Sequence, residues 1–327
     1  MIQTKNLTKI YNGITAVDNV SLEVPSGELC VLLGPSGCGK STLLKMINAL
    51  VPPTSGEIFV NGKNTHDIPV ELLRRGIGYV VQNVGLFPHY TVMRNIGVVM
   101  KLLNKPKEDI EKRALFLLDL IGLPRSYASR YPRELSGGEA QRVGVARALA
   151  ADPAILLMDE PFGSVDPLNR EHLQNSFTEI QKTLKKTVLF VTHDVSEALM
   201  LGDRILLMQE GRIVREGTPG DLVFQEGDNF SQAFFGSEMA LKLLSRYRVG
   251  QAYTKGMKIQ NAACQPSRVG EAIPCLVSGN MPLSEALSLM IINGCRELAV
   301  SGDGFPQGTL SFESLLSYFR KGAPNVQ

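Results

Sequence analysis

The sequence is poor in the features that mark several classes of protein. It has no run of 18 or more apolar residues, and its first residues lack the apolar core of a signal peptide. We therefore expect a soluble, globular chain that stays in the cytosol and does not itself cross a bilayer. Five cysteines, without C-x-x-C spacing, argue against a disulfide framework and against a zinc site. A formal net charge of +2 gives no global electrostatic reason to expect a nucleic acid partner.

A glycine-rich segment directly behind the apolar run Leu29–Leu33 carries the strongest chemical signal. It fits G-x-x-x-x-G-K-[ST], a loop whose backbone N–H groups wrap the phosphates of a nucleotide. In that pattern Lys40 reaches the β- and γ-phosphates and the hydroxyl of Ser41 binds Mg²⁺. Ser41–Leu50 predicts a helix whose N-terminus points at the anion. The predicted phosphate-binding residues are Gly34, Pro35, Ser36, Gly37, Cys38, Gly39, Lys40, Ser41 and Thr42.

Two carboxylates come directly after another apolar run, Ile155–Met158. An open α/β sheet places its chemistry at the carboxyl ends of its strands. Asp159 can hold Mg²⁺, which prefers hard oxygen ligands, and Glu160 can orient a water for in-line attack. Without a phosphate loop upstream, two surface acids capping a strand would be the better interpretation.

Three further side chains become candidates for the nucleotide site because the phosphate loop and the two carboxylates occur in the same chain. Gln82 follows the strand-like run Ile77–Val81, and His193 follows Val188–Thr192, where it could sense a γ-phosphate. Tyr11 lies just before a turn and could stack on adenine. Each also has a simpler explanation, as a solvated glutamine, a structural histidine or a tyrosine packed at a strand end.

Between these strands the hydrophobic period changes to that of helices. Val92–Leu103, Lys107–Ile121 and Gly138–Ala150 carry apolar residues at i, i+3, i+4 spacing, which predicts a helical insertion. The segment Leu135–Glu139, L-S-G-G-E, precedes the third helix and offers a second helix start that can receive an anion. Taken alone, Ser-Gly-Gly before a helix is an ordinary cap.

Together these signals resemble the ATP-binding subunit of an ABC transporter over residues 1 to about 236. The matching segments are Gly34–Thr42 (Walker A), Gln82 (Q-loop), Leu135–Glu139 (signature, LSGGE rather than the commoner LSGGQ), Ile155–Asp159 (Walker B), Glu160, Ser164–Asp166 (D-loop) and His193 (switch). The resemblance implies an α/β P-loop NTPase domain with a helical insertion, using ATP and Mg²⁺. It also implies a homodimer in which the signature of one subunit completes the ATP site of the other.

Residue roles follow from the same resemblance. The implied catalytic residues are Glu160, His193, Gln82 and Lys40. The implied Mg²⁺ ligands are Ser41, Gln82 and Asp159. The implied nucleotide contacts outside Walker A are Tyr11, Gln82, Asp159 and, from the partner subunit, the signature positions Ser136, Gly137 and Gly138.

The resemblance further implies work at a membrane. Integral membrane permease subunits would be direct partners and a substrate-binding protein an indirect one, with the chain peripheral on the cytoplasmic face of a bacterial-type inner membrane. Gln82 and the stretch Leu86–Tyr90 would pass movement to a permease helix gripped in a groove. A soluble ABC ATPase acting on ribosomes or DNA is the competing class, but it commonly has two cassettes or a long coiled coil. A P-loop kinase would have no use for Glu160 or Leu135–Glu139.

The remaining third of the chain predicts a smaller α/β domain. We place the ATP-binding domain at residues 1–236, a linker at 237–260 and the small domain at 261–327. Lys242–Lys258 holds five basic and no acidic residues, either a solvated face or a contact for an anionic membrane. Met281–Ala286 and Cys295–Val300 resemble one CBS repeat, so two copies would pair across a dimer. An ABC subunit with such a region resembles the importers of glycine betaine, carnitine or choline, although amino acid or polyamine import stays open.

Overall fold

The computed structural model describes residues 1–82, 85–163, 165, 167–224, 239–255, 276–302 and 305–315. Contacts between residues divide the chain into two units, Met1–Glu216 and Gly217–Gln327. The predicted linker boundaries at 236 and 260 lie outside the described residues and stay predictions. No helix in the described ranges is both long and apolar enough to cross a membrane.

A six-stranded, largely parallel sheet forms the centre of the first unit, in the order β10-β9-β3-β8-β7-β6. Four of its strands are almost continuous apolar runs, because helices and a second sheet cover both faces. The strands are β3 (Leu29–Leu33), β6 (Ile77–Val80), β7 (Ile155–Asp159), β8 (Thr187–Thr192), β9 (Arg204–Gln209) and β10 (Arg212–Gly217).

The register of this sheet places the predicted site residues at one edge. Leu33 pairs with Thr192 and Asp159 pairs with Val191, all in parallel alignment. The strands β3, β7 and β8 therefore end side by side, and the residues that follow each strand emerge together.

An antiparallel sheet packs on the first, in the order β2-β1-β4-β5. Its strands are β1 (Ile2–Tyr11), β2 (Ile14–Val24), β4 (Ser55–Val60) and β5 (Lys63–Asn64). The first two are joined by Asn12 and Gly13, which take φ of 47° and 84° and close a tight two-residue hairpin. The strand pairing therefore continues right up to Tyr11.

The helices of the first unit confirm the predicted insertion. They are α1 (Lys40–Ile47), α2 (Val70–Arg75), α3 (Val92–Leu102), α4 (Lys107–Leu120), α5 (Gly137–Leu149), α6 (Pro167–Leu184) and α7 (Val195–Leu201). Thr91 caps α3 by accepting from the N–H of Arg94 at 3.3 Å. The sequence pattern did not predict α2, α6 or α7. The last begins at a cap formed by the Asp194 carboxylate.

The second unit contains a small mixed sheet in the order β11-β14-β13-β12. Its elements are α8 (Pro219–Phe224), α9 (Met239–Leu244), α10 (Val249–Ala252), β11 (Thr254–Lys255), β12 (Leu276–Val277), α11 (Leu283–Asn293), β13 (Glu297–Gly302) and β14 (Phe305–Ser311). Helix α11 stops at Gly294, whose φ of 62° is the left-handed conformation that glycine adopts readily.

Several predictions for this part fall on residues that the structure does not describe. They include Lys258, all of 261–275, and residues 225–236 and 316–320 of the two predicted domains. The CBS resemblance is not confirmed.

Candidate functional site

The loop between β3 and α1 holds Lys40 in a buried position. Its ammonium donates to the carbonyls of Gly34 at 2.7 Å and Pro35 at 2.8 Å, and the residue is only 4% exposed. The outer turn of the loop, from Pro35 to Gly37, is exposed. Lys40 therefore sits beneath an accessible loop at the first residue of α1, where its charge and the helix N-terminus can act on one anion.

Two glycines of this loop are required by close backbone approach. A Cβ on Gly39, whose φ is +107°, would lie 2.2 Å from the carbonyl oxygen of Ala16. A Cβ on Gly34 would lie 2.1 Å from the carbonyl oxygen of Met208. Only glycine fits at either position, so the neighbouring strands fix the shape of the loop.

Ser41 and Asp159 form a pair of hard oxygen donors at the edge of the sheet. The Ser41 hydroxyl donates to Asp159 Oδ1 at 2.8 Å, and burial raises the pKa of Asp159. Among the described residues no group of three or more His, Cys, Asp or Glu side chains could hold a metal ion alone. The pair therefore fits Mg²⁺ of the kind that takes its other ligands from phosphate and water.

The carboxylate of Glu160 contacts two other predicted site residues. Its Oε2 accepts from Gln82 Nε2 at 2.9 Å, and its Oε1 lies 3.0 Å from His193 Nδ1. The backbone of Glu160 has φ of +43°, an unusual value for a non-glycine residue, and its N–H donates to Val191 O at 2.9 Å. This turn directs the carboxylate toward the two partners. A carboxylate so fixed can orient a water and accept its proton.

The position of Gln82 bears on its predicted role as a Mg²⁺ ligand. Its amide donates to Glu160, whereas Ser41 is bonded to Asp159. The structure thus joins two of the three predicted metal ligands, Ser41 and Asp159, and bonds Gln82 to Glu160 instead. The role of Gln82 at the metal stays a prediction.

The signature segment begins α5 with a reciprocal cap. Ser136 Oγ accepts from the N–H of Glu139 at 3.3 Å, while Glu139 Oε2 accepts from the N–H of Ser136 at 2.7 Å. Tyr127 donates to the other carboxylate oxygen at 3.0 Å. The backbone bond from Ser136 lowers the pKa of Glu139. The glutamate that replaces the commoner glutamine is therefore ionised and committed to the cap.

Within one chain the signature segment is separate from the phosphate loop. In the described ranges no hydrogen bond or ion pair joins Leu135–Glu139 to Gly34–Thr42. Gly137 and Gly138 form the first turn of α5, and Ser136 and Gly137 are exposed. A helix start of this kind remains free to meet an anion held by another molecule.

Tyr11 lies at the hairpin tip and is 41% exposed. The ammonium of Lys9 sits 5.0 Å from the centroid of its ring. The ring is thus a surface group with a cation near it and is not packed in the core. Stacking on adenine stays a prediction for this residue.

An asparagine that the sequence did not single out organises the aromatic stretch after Gln82. Asn95 is fully buried and donates to the carbonyls of Phe87, Tyr90 and Thr91, each at 3.1 Å. It also accepts from the N–H of Phe87 at 2.8 Å. Phe87 itself is 41% exposed, so it is not a core residue of the insertion.

The D-loop prediction is only partly covered, since Ser164 and Asp166 lie outside the described residues. Val165 is described and buried.

A sequence signal for Asn95 existed only in its place on the buried face of α3, where one polar residue interrupts an apolar series.

Comparison with known proteins agrees with this geometry. The model of the family "ABC transporter" matches residues 17–163. The chain is 47% identical to the osmoprotectant import ATP-binding protein OsmV of Salmonella typhimurium, over 94% of this chain and 78% of that protein. It is 42% identical to the glycine betaine uptake system ATP-binding protein YehX of Escherichia coli, over 97% of this chain and 99% of that protein.

Solved structures of ABC cassettes share the fold. The dimeric cassette MJ0796, in a post-hydrolysis state bound to ADP and Pi, is 36% identical with a TM-score of 0.62, covering 67% of this chain and 98% of that one. CbiO1 from Clostridium perfringens, part of the ABC transporter complex cbiONQ, is 26% identical with a TM-score of 0.64, covering 75% and 94%. The α/β P-loop fold is thereby confirmed, and the chain belongs to the ABC transporter family as an ATP-binding subunit that hydrolyses ATP.

Proposed function

We propose that the chain drives an importer of quaternary amine osmoprotectants such as glycine betaine, carnitine or choline. The support is the printed function of its relatives, among them the glycine betaine/carnitine/choline transport ATP-binding protein OpuCA of Bacillus subtilis, 44% identical over 89% of this chain and 72% of that protein. The relatives OsmV and YehX carry related functions. The match extends well beyond the cassette core that all such ATPases share.

The observation that carries the hydrolytic role is the arrangement around Glu160. Gln82 and His193 hold one carboxylate oxygen each, at 2.9 and 3.0 Å, so the group has a fixed direction. Glu160 orients a water for in-line attack on the γ-phosphate and accepts its proton. Lys40 and the N-terminus of α1 hold the transferred phosphoryl group. Ser41 and Asp159 would hold a Mg²⁺ ion, which would supply charge neutralisation on the phosphates.

Two copies of the chain form the working unit in this proposal. Among the described residues no hydrogen bond or ion pair joins the signature segment to the phosphate loop of its own chain, yet its capped helix start suits an anion. The dimeric cassette MJ0796, 37% identical over 67% of this chain and 98% of that one, gives independent support. Ser136, Gly137 and Gly138 of one copy complete the site built on Lys40 of the other.

The aromatic stretch near Gln82 is the proposed contact with a permease. Asn95 shapes the stretch, and Arg147 of α5 donates to the carbonyl of Gly85 at 2.7 Å. The helix that starts at the signature therefore also holds the loop that would meet the membrane partner. Closure of α5 on a nucleotide would move this loop. The chain would then lie peripherally on the cytoplasmic face of the membrane, with a substrate-binding protein delivering solute to the permease.

The second unit has a proposed role in pairing or regulation. We keep 1–236, 237–260 and 261–327 as the proposed ATP-binding domain, linker and small CBS-like domain. The basic residues Lys242, Arg246 and Arg248 lie in the described part of the linker. Contact of this run with an anionic membrane would weaken with salt.

Reconstitution tests the solute class. The chain, its cognate permease and binding protein are placed in vesicles, and ATP turnover is measured with glycine betaine, carnitine, choline, glutamate, putrescine or sulfate. The proposal expects stimulation by the three quaternary amines alone. Stimulation by an amino acid, a polyamine or sulfate instead would contradict it. Sulfate is included because a sulfate/thiosulfate import ATP-binding protein of Mycobacterium bovis is 42% identical over 73% of this chain and 68% of that protein.

A further inference from the structure

One face of α6 reaches both of the loops that flank Glu160. Arg170 Nη2 donates to the carbonyl of Val165 at 3.0 Å, in the loop that follows Glu160 along the chain. Arg170 Nη1 lies 3.6 Å from Asp194 Oδ2, in the turn that carries His193. A single guanidinium therefore bridges two loops from different strands, and its planar fork of donors suits two directed contacts better than an ammonium does.

The next turn of the same helix fixes the His193 turn from below. Gln174, four residues after Arg170 and on the same face, donates to Glu197 Oε1 at 3.2 Å. Glu197 is 3% exposed, and its Oε2 accepts from the Thr192 hydroxyl at 2.6 Å. That hydroxyl in turn accepts from the N–H of Asp194 at 3.0 Å. The backbone on both sides of His193 is thus tied to α6.

Aromatic packing holds α6 in place for this task. Phe177, one turn further on, contacts Phe162 and Phe190 with ring centroids 6.3 Å apart in each case. Phe162 belongs to the loop after Glu160, and Phe190 belongs to β8. The apolar side of α6 therefore packs on the loop after Glu160 and on β8, the segments that its polar residues also contact. A shift of α6 would move both segments.

The position of the His193 side chain depends on the contacts made by α6, because the side chain itself makes few contacts. Its side chain is 52% exposed, and the contact to Glu160 at 3.0 Å is its hydrogen bond at the site. The Asp194 carboxylate also accepts from the N–H groups of Ser196 and Glu197, at 2.7 and 3.3 Å. That cap would survive loss of Arg170, so α7 would still begin at the same residue. The direct guanidinium link between the two loops would be lost.

We propose that Arg170 is a positioning residue for ATP hydrolysis, which holds the loop after Glu160 and the turn of His193 at a fixed separation and so sets the Glu160–His193 contact. This inference rests on the proposed hydrolytic role of Glu160. Arg170 touches neither reacting group. It acts through the geometry of the pair, where a displacement of about 1 Å can cost on the order of a hundredfold in rate.

The test replaces Arg170 by methionine and by lysine in the full chain. The control is Arg113→Met, because Arg113 is similarly placed, 23% exposed against 29%, and also joins backbone carbonyls to an aspartate. Arg113 holds the end of α5 and Asp152, away from Glu160. Arg170→Met should lower kcat about tenfold or more while the KM for ATP changes less than about twofold. Arg170→Lys should recover part of kcat. Arg113→Met should lower Tm with kcat unchanged.

A double-mutant cycle with His193→Ala decides between positioning and general destabilisation. If Arg170 acts through His193, adding Arg170→Met to His193→Ala should lower kcat by less than about twofold further. An additive loss, or a kcat for Arg170→Met equal to that of Arg113→Met, would overturn the inference while leaving the hydrolytic role intact. A wild-type chain without any ATP turnover would overturn the proposed function itself, and the two failures are therefore distinct.

Discussion

Replacement of Glu160 by glutamine tests the hydrolytic centre with very little change in shape. The amide has one oxygen and one nitrogen where the carboxylate has two oxygens. Its oxygen can still accept from Gln82, and its nitrogen can donate to His193 Nδ1 if the histidine carries its proton on Nε2. Both contacts of about 3 Å therefore survive, and so does the ATP-binding loop around Lys40. What disappears is the negative charge and the ability to accept a proton from water.

The expected loss follows from that single deficit. General-base catalysis contributes about 10²- to 10⁴-fold, so kcat of Glu160→Gln should fall by that factor, or about 3 to 5 kcal/mol in the barrier. ATP affinity should stay within about twofold of wild type. The variant with ATP should accumulate as a dimer, measured by light scattering after gel filtration, because the bound nucleotide is not consumed.

The matched control is Glu28→Gln. Glu28 has nearly the same exposure, 19% against 16%, and its Oε1 accepts from Arg204 at 2.7 Å. The control removes a carboxylate of similar burial in the same unit but away from the predicted site. It should cost some stability and leave kcat unchanged. A Glu160→Gln variant that turns over ATP within about threefold of wild type would refute the role given to Glu160.

Three further predictions rest on other residues of the chain. Gly39→Ala should abolish ATP binding measured by calorimetry, because the added Cβ would lie 2.2 Å from a backbone oxygen. Gly37→Ala, whose Cβ would have no atom within 4 Å, should keep measurable binding. Equal losses of binding in the two variants would contradict this prediction. Asp159→Asn should raise Tm at pH 7 without nucleotide, because burial raises the pKa of Asp159 and so disfavours its ionised form in the folded chain. Each kcal/mol of stability gained should raise Tm by about 2–4 °C. A lower Tm would contradict this prediction. Lys186 lowers the pKa of Asp152 below its ordinary 3.8, so the stabilisation is present above that value and lost below it. The Tm difference between wild type and Asp152→Asn should therefore close in acid, and a difference independent of pH would contradict the assignment.

Local patterns allowed much of the sheet and the phosphate loop to be predicted. Buried parallel strands are short apolar runs, and their C-terminal ends in the sequence mark where Asp159, Glu160 and His193 emerge. The glycines of the loop carry their own conformational signal. The predicted helical insertion matches because each helix has an amphipathic period of its own.

The parts that the sequence pattern missed depend on contacts between distant segments. Helix α6 is mostly polar, and its apolar side is revealed only by Phe162 and Phe190, which come from elsewhere in the chain. Arg170 and Asn95 act on backbone carbonyls, and no residue pattern marks which carbonyl a side chain will reach. The positive φ of Glu160 likewise accompanies a backbone bond to Val191 of β8, a contact that its residue type does not reveal.

Mixing two inactive variants tests most directly whether the site is shared between copies. Lys40→Ala removes the ammonium that we expect to bind phosphate. Gly138→Asp places a carboxylate at the start of α5, where it is compatible with the helix but would repel a phosphate. Each variant alone should be inactive. In an equal mixture half of the dimers are mixed and hold one complete site, so ATP turnover should return to as much as about a quarter of the wild-type rate. A mixture no more active than the two separate variants would contradict the shared site.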